Sequence, residues 1–496
     1  MPSDAPLYEP VIGLEVHAEL RTQSKMFCSC PVVDSVSAPP NTAVCPVCAG
    51  MPGSLPVVNQ RAVEYGLRVA LALECTVNPV SIFARKNYFY PDLPKGYQIS
   101  QYEQPLAEHG KVVIETAAGE KVIRVRRVHL EEDTGKLTHV NPSEDSQPSE
   151  GSKGYSLLDL NRAGVPLLEI VSEPDMRSVE EARAYAEALR DILRTLEVNS
   201  GDMEKGVIRF EANISVRLRG TETLNTRVEI KNLNSFRALE RAIAFEIERQ
   251  TKLLEAGGQV EQETLGWDET HETTYSQRSK EDAHDYRYFP EPDLPPLWVE
   301  EAWLERIRAD LPELPRTRRR RFVEQYGLTD YDARLLTSDK AVADYFEQAV
   351  HARPEGVLPK SIAHWMTGEL FGLMNQANIT AANLKVGPEA LAELVRLVAA
   401  GEINSSTGKT VLAEMFQSGR GAAEIVAERG LRQVSDASFI TEMVRQVLAE
   451  NPAEVASFKA GKGTVVNWLF GQVMRKAGGK ANPGVVRAEL ERQLGE

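Results

Sequence analysis

Glu15, His17 and Glu19 stand at every second position of the stretch 11–20, and the alternate positions hold Ile12, Leu14, Val16, Ala18 and Leu20. Successive strand side chains point to opposite faces, so the spacing predicts a half-buried β-strand with carboxylates and an imidazole on its upper side. The stretch 207–219 repeats the arrangement. Arg209, Glu211, Asn213, Ser215, Arg217 and Arg219 alternate there with Ile208, Phe210, Ala212, Ile214, Val216 and Leu218. Arg227, Glu229 and Lys231 share one face of a third such strand, and His129, Glu131 and Asp133 one face of a fourth. A sheet face that joins carboxylates, imidazole, guanidinium and ammonium can hold a divalent cation and a polyphosphate together.

A second constellation is Cys28-x-Cys30 followed by Cys45-Pro-Val-Cys48. Two close pairs so near in sequence suit a tetrahedral four-thiolate zinc site, and a reducing compartment disfavours disulfides. Four protein ligands leave no open position, so such a site serves the fold and not the chemistry. Cys75 stands alone in an apolar, helix-like stretch and is expected as buried filler.

The elements that must position these residues follow from length and pattern. A chain of 496 residues exceeds one ordinary core, so two or three domains are expected. Hydrophobic content of 42% and charged content of 26% are those of a globular protein. No apolar run nears the ~20 residues of a membrane span, and the acidic, proline-bearing start has no basic n-region, so a cytoplasmic location without membrane contact is expected. A net charge of −15 argues against non-specific coating of nucleic acid, though not against a local basic patch. Ser178-x-x-Glu181 is a capping box that opens a helix through Ala182, Tyr185, Leu189, Leu193 and Leu196. A second helix runs from Ser235 through Leu239, Ile243, Ile247 and Leu254. The stretch 141–154 reads as a polar loop, and the Pro-rich strip 290–296 as a domain exit. Beyond it the chain is rich in Ala, Leu, Glu and Arg with helical periodicity, broken by polar residues at 401–408. The expected domains are 1–295 with strands and catalytic residues, an all-α 296–405, and a small helical 406–496. Gly408-Lys409-Thr410 suggests a phosphate loop but has Ile403 where the motif needs Gly, and no cysteine is free to hydrolyse glutamine.

Several blocks are similar to one family. They are VIGLEVH at 11–17, RKNYFYPDLPKGY at 85–97, HLEED at 129–133, DLNRAGVPLLE at 159–169, EIKNLNSF at 229–236, DYRYFPEPDLPP at 285–296, GQVM at 471–474 and GKANP at 479–483. Together they resemble the B subunit of the aspartyl/glutamyl-tRNA amidotransferases over nearly the whole chain. At 209–213 the family's Arg-Cys-Asp-Ala-Asn is replaced by Arg-Phe-Glu-Ala-Asn, which keeps the carboxylate and lengthens it by one methylene.

The resemblance implies an α+β fold: a glutamine-synthetase-like antiparallel-sheet cradle, an all-α helical domain and a small all-α tail. It implies use of ATP and Mg²⁺ to phosphorylate the side-chain carboxylate of misacylated Glu-tRNA(Gln) or Asp-tRNA(Asn). Ammonia from a partner amidase then displaces phosphate. The implied partners are the amidase (the A subunit), a small third protein (the C subunit), tRNA(Gln) or tRNA(Asn), and the cognate non-discriminating aminoacyl-tRNA synthetase. The residue types suit this chemistry. Mg²⁺ prefers oxygen donors, so Glu15, Glu131 or Glu132, and Glu211 are candidate ligands, with His17 a ligand, a water holder or a proton acceptor. Lys86, Arg209 and Lys231 are candidates to offset phosphate charge. Glu15, His17, Glu131 and Glu211 form the candidate catalytic set. In the tail, 455–488 has no Asp or Glu but carries Lys459, Lys462, Arg475, Lys476, Lys480 and Arg487. That local reversal of sign makes Lys462, Arg475, Lys476 and Lys480 the candidate tRNA anchor. Two other readings stay open: a ligase acting on a free acidic metabolite, and a non-catalytic tRNA-binding scaffold.

Overall fold

In the computed structural model of the chain the described residues are 7–34, 36–140, 154–278, 286–432, 437–477 and 481–495. Of the expected features, the loop at 141–153, Asp285, and Lys480 with its preceding glycines lie outside them. The chain divides into two compact units, Met1–Leu314 and Pro315–Glu496.

The first unit is built on a nine-stranded sheet. In spatial order its strands are Thr273–Arg278, Thr264–Asp268, Val228–Leu233, Ile208–Leu218, Tyr8–Glu19, Pro166–Ser172, Gly119–Glu132, Ala107–Thr116 and Thr76–Val77. All neighbours are antiparallel except Val228–Leu233 and Thr264–Asp268, which run parallel. The four expected strands are all present. Their apolar rows, among them Ile12, Leu14, Val16, Ile208, Phe210 and Ile214, are buried in one core with three helices, Gln60–Ala72, Val179–Thr195 and Phe236–Glu255. Ser178 and Ser235 cap the last two, accepting from the backbone N–H of Glu181 and Ala238. The partner side chain of the expected capping box, Glu181, bonds the backbone N–H of Arg177 instead of closing back on the cap. Helices cover one side of the sheet, so its polar rows stand together on the other. A smaller sheet, Phe289–Pro290, Phe83–Asn87 and Tyr97–Gln101, packs beside the end of the Gly119–Glu132 strand.

The second unit is helical from Pro315–Tyr326 to Pro483–Gly495, so the chain is mixed α and β with a helical C-terminal region. Two hydrophobic cores lie in it, one spanning Phe322 to Val426 and one Ile440 to Leu494. Helix Glu301–Ala309 still buries Leu304 and Ile307 in the sheet's core, so the first unit outlasts residue 295. Gly401 takes the left-handed φ of +69° just past helix Pro388–Ala399, and Asn404 caps Ser405–Ser418, which buries Val411, Leu412 and Met415 in the middle core. Positions 401–404 are therefore a short turn between two helices, and 405–408 form the start of the second. Gly408 of the rejected phosphate loop lies inside that helix, where a Cβ would meet the Trp365 ring at 2.8 Å. Among the described residues no helix is long and apolar enough to cross a membrane.

Candidate active site

Strand register decides which polar side chains meet. Glu15 lies opposite Glu211, and His17 lies opposite Arg209 on one side and Glu169 on the other. Glu169 in turn faces His129. Two clusters result. In the first, His17 Nε2 is 3.5 Å from Glu169 Oε2 and 3.8 Å from Glu131 Oε1, while His129 Nε2 reaches Glu169 Oε2 at 3.1 Å. Ser100 donates to the other oxygen of Glu131 at 3.1 Å. In the second, Glu15, Glu211 and Glu229 bring oxygens within 4.8 Å of one another. There Asn213 donates to Glu15 at 2.9 Å, and Lys231 lies 2.6 Å from Glu211 and 3.3 Å from Glu229.

The donors fit a cation. Octahedral ligands at about 2.1 Å from Mg²⁺ stand roughly 3.0 to 4.2 Å apart, and the 3.5 and 3.8 Å separations of His17 from Glu169 and Glu131 fall within that range. Burial would push Glu169 up, but His129 and His17 hold it well below the usual carboxylate range. His17 is pulled down by burial yet raised to about 9 by Glu169, Glu211 and Glu131. Glu211 opposes its own burial through Lys231 and His17 and falls to about 2. Glu15 is raised by burial and by the carboxylates of Glu169, Glu211 and Glu229. Three carboxylates share one ammonium, an excess of negative charge that a divalent ion would relieve.

The proposed cations divide. Lys86 projects from Phe83–Asn87 with its ammonium 5.0 Å from the centre of the Tyr286 ring and 5.9 Å from that of Tyr88. Burial lowers its pKa, but Glu131, Tyr288 and Glu169 keep it above the ordinary lysine value. Tyr288 stacks on Tyr102 at 4.1 Å, so an aromatic wall borders the first cluster. Lys231 serves the second cluster. Arg209 is engaged elsewhere, 3.0 Å from Asp133 and 3.4 Å from Glu19. Glu132 does not join either cluster. Its carboxylate turns away to accept from the backbone N–H of Ile99 at 2.9 Å and from Lys95. Glu169 is the site residue that the strand patterns do not single out, and they mark His129 and Glu229 only as face residues. A lone acid among Leu167, Leu168, Ile170 and Val171 is the available signal, because a charge inside an apolar strand needs a partner.

Cys28, Cys30, Cys45 and Cys48 converge with all four sulfurs within 4.8 Å of one another. Cys48 Sγ is 3.8 Å from that of Cys45 and 4.0 Å from that of Cys30. Four thiolates at ~2.3 Å from a central zinc stand about 3.8 Å apart, so the spacing suits that ion. Cys75 is buried, as expected. In the tail, Lys459, Lys462, Arg475 and Lys476 are exposed, but Lys476 pairs with Glu450. Arg318, Arg319 and Arg321 spend charge internally on Asp344, Glu347 and Asp330.

A family model described as the GatB/GatE catalytic domain matches residues 10–305, and one described as the GatB domain matches residues 344–494. The chain belongs to the GatB family. Its relatives include the B subunit of the aspartyl/glutamyl-tRNA(Asn/Gln) amidotransferase of Moorella thermoacetica, 53% identical over 98% of this chain and 100% of the relative. The protein of the same name from Myxococcus xanthus is 50% identical over 99% of each chain. That from Roseiflexus sp. is 51% identical over 98% of each. The GatB/GatE match covers every residue of both acidic clusters and the four cysteines.

Proposed function

We propose that this chain is the B subunit of a tRNA-dependent amidotransferase, forming Gln-tRNA(Gln) or Asn-tRNA(Asn) from the misacylated Glu- or Asp-tRNA. Full-length likeness to proteins of that name carries the reading, and the polar sheet face supplies the groups the chemistry requires. The sheet acts as a cradle of the glutamine-synthetase type. An ester-linked glutamate or aspartate presents a carboxylate, which ammonia does not attack productively because oxide is a poor leaving group. The γ-phosphoryl of ATP passes to a carboxylate oxygen, ADP leaves, and a mixed anhydride results. Ammonia attacks its carbonyl carbon, phosphate departs, and the amide remains. Phosphoryl transfer is mostly positioning and charge neutralisation.

Mg²⁺, if bound, would supply positive charge to offset that of the transferring phosphate. His17, Glu131 and Glu169 would hold one such ion, and Glu15, Glu211 and Glu229 a second. Lys86 and Lys231 neutralise phosphate oxygens beside those clusters, while Arg209 positions Asp133 and Glu19. Cys28, Cys30, Cys45 and Cys48 would hold a zinc ion that stabilises the fold. Lys462, Arg475 and neighbouring tail cations grip the tRNA body. The sequence offers no cysteine nucleophile to hydrolyse glutamine, so ammonia comes from the amidase that forms the A subunit, with the small C subunit bridging the two. The synthetase that charges the tRNA is a further partner, and the complex works in the cytoplasm.

The test is transfer of γ-phosphate from ATP with ammonium present, comparing misacylated tRNA, free glutamate and no acceptor. Turnover with misacylated tRNA alone is expected. Equal turnover with free glutamate would point to a small-molecule ligase, and none with any acceptor to a scaffold. Purified alone, the chain should make no product from glutamine until the amidase is added.

A further inference from the structure

Lys25 is fully buried, at 0% exposure. Its ammonium donates to Cys48 Sγ at 3.6 Å and to the Leu160 carbonyl at 3.2 Å. Among the described residues no carboxylate pairs with it. An ammonium taken out of water costs several kcal/mol unless it is well paired, and one cysteine sulfur at 3.6 Å with a carbonyl compensates it only in part. Four thiolates around one divalent cation, by contrast, leave negative charge in excess. We infer that Lys25 is the built-in counter-ion of the four-cysteine site, and that through it metal occupancy fixes the 160–165 loop beneath the active face. The inference rests on the zinc reading given above.

The loop is tied down on both sides. The Lys25 backbone N–H bonds the Cys30 carbonyl at 2.9 Å, and that of Met26 bonds the Gly164 carbonyl at 2.7 Å. Gly164 has φ +84°, and a Cβ there would sit 3.3 Å from Cys48 Cβ and 3.5 Å from Lys25 Cδ. The same glycine donates its N–H to the Asp133 carbonyl at 2.9 Å, while the Asp133 N–H donates to the Val165 carbonyl at 2.8 Å. Arg162, on the loop, bonds the carbonyls of Thr134 and Gly135 and lies 3.8 Å from Asp133. Asp133 holds Arg209, which stands across from His17. If the metal leaves, the sulfurs of the cluster are no longer held together around Lys25, and its ammonium loses part of its counter-charge. The loop it holds through Leu160 then loosens, and Asp133 loses its backbone partners.

Outer-sphere partners of metal ligands are worth about 10- to 100-fold in metal affinity. In the full-length chain, Lys25→Met, which keeps length and removes charge, should yield zinc to a competing chelator about 10- to 100-fold more readily than the unsubstituted protein. Lys25→Arg, which keeps the charge, should stay closer to the unsubstituted value. In the unsubstituted chain, stripping zinc should speed amide hydrogen exchange at 160–165 and 133–135, a comparison that stands even if Lys25→Met does not fold. Zinc held as tightly by Lys25→Met as by the native chain overturns the inference, as does exchange at 160–165 that ignores zinc removal. A native chain that takes up no zinc at all overturns the zinc reading together with it, so the two failures are distinct.

Discussion

Glu131 meets His17 and Ser100 on the polar face, while Glu132, one residue on, accepts from Lys95 and the Ile99 N–H behind it. Period-two alternation separates two chemically identical neighbours, and their variants should separate too. Glu131→Gln removes a charge that would meet metal and phosphate, so ATP-dependent amidation with ammonium should fall about 10²- to 10³-fold. The fold should persist. Glu132→Gln strands a mostly buried Lys95 and should cost about 3 kcal/mol of stability. Its remaining folded fraction should stay active. Chemical denaturation and single-turnover amide formation on both variants check the pair, and the reverse pattern would reassign the ligand. Glu15→Gln should behave like Glu131→Gln, because three carboxylates surround the second position.

The strands carrying these residues were legible because one face of each is apolar and the other ionic. Tyr8–Glu19 shows the alternation from Leu14 to Glu19 and Ile208–Leu218 from Ile208 to Ile214, and from it came Glu15, His17, Arg209 and Glu211. Pro166–Ser172 was not legible in the same way. It lies mid-sheet with almost every residue buried, so its pattern is a run and not an alternation, and Glu169 disappeared in it. The split into two clusters depends on which strands are neighbours, information that no single strand contains. The second unit shows the same limit on helices. Four arginines stand in a row at 318–321, yet Glu347 on helix Lys340–His351 draws in Arg318 and Arg321 and accepts from Tyr326 at 3.0 Å. Burial would raise Glu347, but those arginines hold it at about 2. Its folded pKa thus lies below the ordinary 4.5, so its contribution is complete above that value and disappears as pH falls toward about 2. Glu347→Gln should cost on the order of 1–2 kcal/mol at neutral pH, allowing for partial solvent screening. It should also flatten the acid limb of urea-denaturation midpoints across that window. An unchanged acid limb would mean the arginines hold no such advantage for the folded state.

The whole chain carries −15, so any grip on tRNA must come from a local reversal of sign. The tail supplies one along 455–488, but the structure sorts its members. Lys476 is already paired with Glu450, and Arg487 is bonded to Asn467 and lies 5.5 Å from the Phe470 ring. Lys459, Lys462 and Arg475 are exposed. Gly461, at φ +95°, sets a tight turn beside Lys462 where backbone can approach a phosphate closely. The triple variant Lys459→Ala, Lys462→Ala and Arg475→Ala should raise the KM for charged tRNA and leave that for ATP unchanged. Each cation that meets a phosphate contributes close to one unit of slope in log affinity against log salt, so the slope should drop by as much as ~3. Lys476→Ala alone should do less, because its charge is already shared with Glu450. The comparison separates a true anchor from a solvated helix end, which would alter neither the KM nor the slope. If Lys476→Ala matches the triple variant, the pairing with Glu450 yields to tRNA, and the anchor centres on the end of helix Val465–Lys476 instead.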